Sequence, residues 1–137
     1  MSAAPAIADV SVVIPVFNSG ADALVAIRSV QAQTLQPREI VVVDDGSTDG
    51  SAAIIAAAVA GSTPPVRIVS TPNAGAAGAR NTGIAHASAS HLAFLDSDDR
   101  WLPDKLARVH YKIRRYNSAQ EHSQETQFPI TPWHSLT

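Results

Sequence analysis

With 137 residues, 45% of them hydrophobic, the chain has the length of one domain and can bury about two-thirds of the surface an unfolded chain exposes. A net charge of −2 argues against generic nucleic-acid binding, and the absence of cysteine excludes a disulfide framework, a zinc–thiolate site and a thiol nucleophile. No apolar run approaches the roughly 18 residues of a membrane span, and Met1-Ser2-Ala3-Ala4-Pro5 lacks the basic and apolar segments of a signal peptide, so a soluble, cytoplasmic domain is expected.

Val10-Ser11-Val12-Val13-Ile14 is a nearly continuous β-branched run, the mark of a strand buried on both faces, and Pro15 is expected to end it. Asn18-Ser19-Gly20 offers a helix cap, Leu24, Ile27 and Val30 follow at helical spacing, and Pro37 closes the segment. Glu39 to Val43 reads as a second buried strand that delivers Asp44-Asp45-Gly46. Ser47 or Thr48 can cap the next helix, with Asp49 in its first turn and Ile54, Ile55, Ala58 and Val59 inward. Val66 to Val69 is a third strand, followed by a small-residue helix with Ala76, Ala79 and Gly83 on one side. His91 to Leu95 is a fourth strand. Pro103 then fits the first turn of a last helix striped by Leu102, Leu106, Val109 and Ile113.

The order is βαβαβαβα with short connections, which predicts an α/β fold: an open, mainly parallel sheet with helices on both faces. Residues 1–9 read as a tail and 10–116 as the folded part. Residues 117–137, polar and without sustained periodicity, are expected to be irregular.

In such a sheet, ligands bind beyond the carboxyl ends of the strands. Pro15-Val16-Phe17, Asp44-Asp45 and Asp96-Ser97-Asp98-Asp99 all fall there, and seven of the twelve acidic residues lie in the segments Asp44–Asp49 and Asp96–Asp104. Taken alone, Asp96 to Asp99 is either an Asp-rich turn capping the next helix or a clamp for a hard divalent cation that also holds phosphate oxygens. An electronegative mouth repels a bare diphosphate, so phosphate binding there requires a bridging cation. The five scattered histidines have no metal spacing, and no G-x-S-x-G elbow is present. Lys105, Arg108, Lys112 and Arg115 form one flank of the last helix, either a solvated face or a peripheral contact with a membrane or acidic partner.

Five motifs then occur in order: Val12 to Asn18, Ile40 to Asp49, Ala79-Arg80-Asn81-Thr82-Gly83, Phe94 to Asp99 and Trp101 to Leu106. Together they resemble the nucleotide-binding half of a family 2 glycosyltransferase with the GT-A, Rossmann-like fold, from about Val10 to Tyr116. The resemblance implies a nucleotide-diphospho-sugar donor, often UDP-linked, a divalent metal (Mn2+ or Mg2+), and a glycan or lipid-linked sugar as acceptor. Carried over by position, Pro15 and Phe17 flank the base and Asp45 hydrogen-bonds it. Asp98 meets the metal, Asp96 the ribose or metal, and Asp44, Arg80 and Asp99 are further carry-overs. Transfer in this family inverts the anomeric centre with a carboxylate base from the second half of the catalytic domain. That base is expected beyond the recognisable region, and neither Glu121 nor Glu125 is assigned to it. The chain is therefore expected to be an incomplete domain, truncated or frame-shifted, that binds donor weakly with little turnover, and whose fourth strand is left as a sheet edge. The alternatives are a non-catalytic nucleotide-sugar-binding module or another nucleotide-binding α/β domain. A response-regulator-like receiver is disfavoured, because the third strand ends in Val69-Ser70-Thr71 rather than an acceptor Asp.

Overall fold

A computed structural model describes residues 6–112. Strands and helices alternate: β1 (Ile7–Val16), α1 (Gly20–Gln31), β2 (Gln36–Asp45), α2 (Ser51–Val59), β3 (Val66–Thr71), α3 (Gly75–His86) and β4 (His91–Phe94). A last helix, α4, occupies residues 105–112. The strands form a single parallel sheet in the order β3-β2-β1-β4. The chain winds outward from β1 to β3, then crosses back to place β4 on the other side of β1. That reversal splays the β1 and β4 exits apart and opens a crevice between them.

The pleat assigns each strand residue to a layer. Val10, Val12, Ile14 and Val16 of β1, with Ile40 and Val42 of β2, pack under Ala23, Ala26, Ile27 and Val30 of α1, Ile55 of α2 and Leu106 of α4. Val13, Val41, Val43 and Leu92 point the other way, against Ala79 of α3. Both faces of the two central strands are thus dry, which is why their sequences are nearly unbroken Val and Ile.

Several boundaries differ from the sequence expectation, each for a physical reason. Pro15 does not end β1; it pairs with Val43 inside the strand. The carbonyl of Val13 accepts from Leu95 N on the β4 side (3.0 Å), so Pro15, two residues on, also faces that side. The β1–β4 ladder stops at Val13–Phe94, and the missing N–H of Pro15 falls where no strand needs it. Pro37 likewise lies within β2, not after α1, and β1 starts at Ile7, inside the segment expected to be a tail. α2 starts at Ser51 rather than beside Ser47, because Asp49 turns the chain first, accepting from Ser51 N at 3.0 Å and from the Ser51 hydroxyl. Ile54 and Leu102, expected to face inward, are exposed. Ile113 and residues 117–137 lie outside the described residues, as do Glu121, Glu125 and Arg115.

α3 rides close to the sheet. A Cβ at Gly83 would stand 2.3 Å from Val13 Cγ1, so only glycine permits this approach. Gly83→Ala is expected to destabilise the fold by about 1–2 kcal/mol, the overpacking cost outweighing the gain in helix propensity. Urea denaturation reads this directly. Among the described residues, β4 pairs with β1 alone, and no helix is long and apolar enough to cross a membrane.

Candidate functional site

Three loops meet at the carboxyl ends of the strands. Asn18, in the left-handed region (φ 49°), fastens the β1–α1 loop to the β2–α2 loop. Its N–H donates to Ser47 Oγ (2.9 Å) and its side-chain oxygen accepts from Thr48 N (2.8 Å). Below them, Gly20 N donates to the buried hydroxyl of Ser51 (3.1 Å), which locks the starts of α1 and α2 together. Ser19 Oγ donates to Ser97 Oγ (3.1 Å), tying the start of α1 to the acidic turn.

The turn itself is held from its far side. Gln33, almost fully buried, donates to the carbonyls of Ser29 (3.1 Å) and Leu102 (2.6 Å) and accepts from Leu106 N (3.0 Å). Trp101 N donates to Ser29 Oγ, and Thr34 N to the Pro103 carbonyl. The amide of Gln33 thereby satisfies an open N–H at the start of α4.

Between these loops lies a cavity of about 580 Å³, lined among others by Pro15, Phe17, Asp45, Arg80, Asp96 and Asp98. Six of the residues singled out from sequence are therefore brought around one space, though they come from β1, β2, α3 and the turn after β4. Asn73, Ser19, Ser97 and Ala76 line it too; none of them was among the site residues read from the sequence. Ala76, expected to pack against the sheet, is instead exposed and forms part of this lining.

Asp44 and Asp45 are divided by the strand pleat. Asp44 is buried and accepts from Ser47 N (3.1 Å), fixing the turn, and it does not line the cavity. Asp45 is 5% exposed and presents both oxygens to the start of α3, accepting from Ala74 N (2.8 Å) and Gly75 N (3.0 Å). Negative charge is favoured at that helix end. An ionised carboxylate has about four acceptor positions, so lone pairs remain for a ligand.

Asp96, Asp98 and Asp99 are exposed, and each offers a carboxylate oxygen within 4.8 Å of the others. Around an octahedral cation with ligands at about 2.1 Å, neighbouring oxygens are about 3 Å apart and opposite ones about 4.2 Å. Small side-chain rotations therefore suffice, and exposure leaves room for water or phosphate oxygens to complete the shell. The residues fit a hard divalent ion. Arg80 Nη2 pairs with Asp96 Oδ1 at 3.1 Å and supplies fixed positive charge at the same rim.

The opposite end of the sheet holds a polar cluster that sequence reasoning missed. Glu39 Oε2 accepts from Ser11 Oγ (2.7 Å), Ser88 N (2.6 Å) and Ser88 Oγ (2.7 Å), and Oε1 pairs with Arg67 at 2.6 Å. Burial alone would raise its pKa, but the bonds from Ser88, Ser11 and Arg67 outweigh it and hold the carboxyl at about 2. Far from the crevice, this cluster fastens β1, β2, β3 and the end of α3.

Comparison with known proteins agrees with the fold. The family model for glycosyl transferase family 2 matches residues 11–123, past the point near Tyr116 where the motifs stop. The uncharacterised glycosyltransferase alr2836 of a Nostoc species is 42% identical over 100 residues, covering 73% of this chain and 31% of that protein. WfgD of Escherichia coli, a UDP-Glc:α-D-GlcNAc-diphosphoundecaprenol β-1,3-glucosyltransferase, is 38% identical over 98 residues, 71% of this chain and 38% of WfgD. Among solved structures, Staphylococcus aureus TarS 1–349 in complex with UDP superposes with a TM-score of 0.69 at 26% identity, covering 79% of this chain and 32% of that one. The mannosyltransferase PcManGT from Pyrobaculum calidifontis, in complex with GDP-Man and Mn2+, gives 0.68 at 30% identity, covering 74% and 31%. The chain spans between 14% and 38% of the length of the curated relatives it matches. With the parallel sheet, the acidic rim and the family model in agreement over most of its length, the chain belongs to glycosyl transferase family 2.

Proposed function

We propose that this chain forms the donor-binding part of a glycosyltransferase that moves a sugar from a nucleoside diphosphate, UDP in the first instance, to an acceptor hydroxyl with inversion. The observation that carries this reading is the convergence of Phe17, Asp45, Arg80, Asp96 and Asp98 on one cavity at the strand exits. Phe17, 51% exposed, offers an apolar face to the base beside Pro15, and Asp45 accepts a hydrogen bond from the base edge. Phe17 keeps the stacking surface of a tyrosine without its hydroxyl. Asp98 and Asp96 hold Mn2+ or Mg2+ against the diphosphate, with Asp99 beside them. The ion, when bound, stabilises the charge that develops on the leaving phosphate by several kcal/mol. Arg80 adds a guanidinium that can leave Asp96 for a phosphate oxygen; at the surface that exchange costs about 1 kcal/mol or less. Asp44 takes no direct part and instead sets the turn that aims Asp45.

The acceptor is proposed to be a glycan or a lipid-linked sugar, in keeping with the acceptor in the name of WfgD. The base that takes its proton is assigned to the second half of the catalytic domain, beyond the recognisable region, and to neither Glu121 nor Glu125. Titration calorimetry with UDP, GDP and their sugar conjugates tests the donor site. UDP is expected to bind about tenfold or more tightly with Mn2+ than without, a gain of about 1.4 kcal/mol or more. Equal affinity with and without metal overturns the assignment.

A further inference from the structure

Charge is segregated along this chain. Its net charge is −2, yet six of its ten basic residues lie between Arg100 and Arg115, where Asp104 is the only acid. Asp104 is taken up locally, its Oδ2 accepting from Arg108 Nε at 2.8 Å. Among the described residues, Arg100, Lys105 and Lys112 form no ion pair. Lys105, Arg108 and Lys112 fall at i, i+3 and i+7, one stripe along α4, turned away from Leu106, which is buried in the core. Arg100 and Lys105 also border a cavity of about 500 Å³ beside the acidic turn, but Arg108 and Lys112 do not, and the stripe runs on past it. Asp98 and Asp99 line cavities at the strand exits rather than this stripe.

Two large apolar side chains flank the cations: Leu102, 74% exposed, just before α4, and Tyr111, 60% exposed, one turn from Arg108. A solvated helix flank has reason to carry lysine and arginine but none to carry bare leucine. An acidic protein or a nucleic acid would use the charges alone. An anionic lipid surface uses both, its phosphates meeting the cations while the leucine and the tyrosine ring enter the boundary with the acyl chains. The eight described residues of α4 measure about 12 Å, too short to span a bilayer and suited to lying on one. We infer that this face of α4, with Leu102, docks on the surface of a membrane containing anionic lipid. The inference does not depend on the donor reading. Gln33 bonds the Leu102 carbonyl and Leu106 N, so the docking segment is fixed to the body of the fold. Docking there holds the acidic turn, which ends six residues before α4, close to the lipid surface.

The test is flotation of the full chain with vesicles of phosphatidylcholine alone or of equal parts phosphatidylcholine and phosphatidylglycerol. EDTA is included so that no divalent ion bridges the acidic turn to a headgroup. Binding to the anionic vesicles is expected to be at least about tenfold stronger at about 0.1 M salt, and to fall steeply by about 1 M, where the screening length drops from about 10 to about 3 Å. Arg108→Glu with Lys112→Glu, both outside the cavities, is expected to remove the preference for anionic lipid. Arg28→Glu with Arg38→Glu changes the net charge equally on other surfaces and is expected to leave it in place. Leu102→Asn, which keeps every charge, is expected to weaken vesicle binding about fivefold or more. Circular dichroism melting verifies that each variant is folded. Equal or absent binding to the two vesicle types, or a preference that the two double variants lose alike, overturns the inference. Anionic vesicle binding indifferent to Leu102→Asn overturns it too, and would mark the stripe as a site for an acidic protein instead.

Discussion

Replacing Asp98 with Asn is expected to abolish the metal-dependent part of donor binding while leaving the fold intact. Asp98 is exposed and takes part in none of the described ion pairs, so the substitution removes a charge that nothing in the protein consumes. Its carboxylate is one of three that meet within 4.8 Å. Two remaining acids, one of them shared with Arg80, hold a divalent ion far less well. Even indirect ligand-orienting groups cost about 10–100-fold in metal affinity, so loss of a direct one is expected to cost about 100-fold or more. Manganese paramagnetic resonance reads that affinity without any turnover. The weak, metal-free affinity for UDP is expected to be equal in the variant and the unaltered chain, because Phe17 and Asp45 remain in place. A variant that keeps metal-enhanced UDP binding would place the cation elsewhere.

The second large effect is on stability. Glu39→Gln is expected to cost about 2–3 kcal/mol at neutral pH, or about 10 °C in melting temperature. The charged oxygen now accepts three hydrogen bonds, and an amide that keeps the size of the side chain cannot reproduce them. The pH dependence follows from the depressed pKa. The folded-state value is about 2 against an ordinary 4.5, so the unfolded chain binds the proton more readily between these limits. The stabilisation from Glu39, about 3 kcal/mol, is complete above the ordinary value and is lost as pH falls through about 4.5 towards 2. The two proteins should therefore converge in stability on acidification, with most of their difference gone near pH 2. A difference that stays constant from pH 7 to pH 2 would mean that the cluster holds through shape rather than charge.

Much of the fold was legible because it depends on short-range pattern. Val12 to Ile14 and Ile40 to Val43 are buried on both faces, and an unbroken β-branched run shows that without knowledge of any neighbour. Boundaries were harder. Whether Pro15 ends a strand depends on which side its absent N–H faces and where β4 stops, and both are tertiary facts. The gathering of acids at one rim could be anticipated, because parallel strands must all exit at the same end. Other features could not. The pairing of Arg80 with Asp96, the grip of Asp45 on α3, and the Glu39 cluster join residues 16, 29 and 49 positions apart. No local period encodes such partnerships. Gln33 is similar: in sequence it is an ordinary helix-end glutamine, and only the return of the chain after β4 supplies the groups it bonds.

The anchoring of the stretch after β4 has an entropic consequence. It leaves the sheet at Leu95, is pinned to α1 through Ser97, and is pinned again at Trp101, Leu102 and Leu106. Its three acids are thus displayed on a tethered arch rather than a free tail. A ligand that settles on them freezes a few side-chain torsions and little backbone, where a slack loop would forfeit about 1–2 kcal/mol for each residue ordered. Weak exposed contacts can then add up to useful affinity, since the ordering was done when the chain folded.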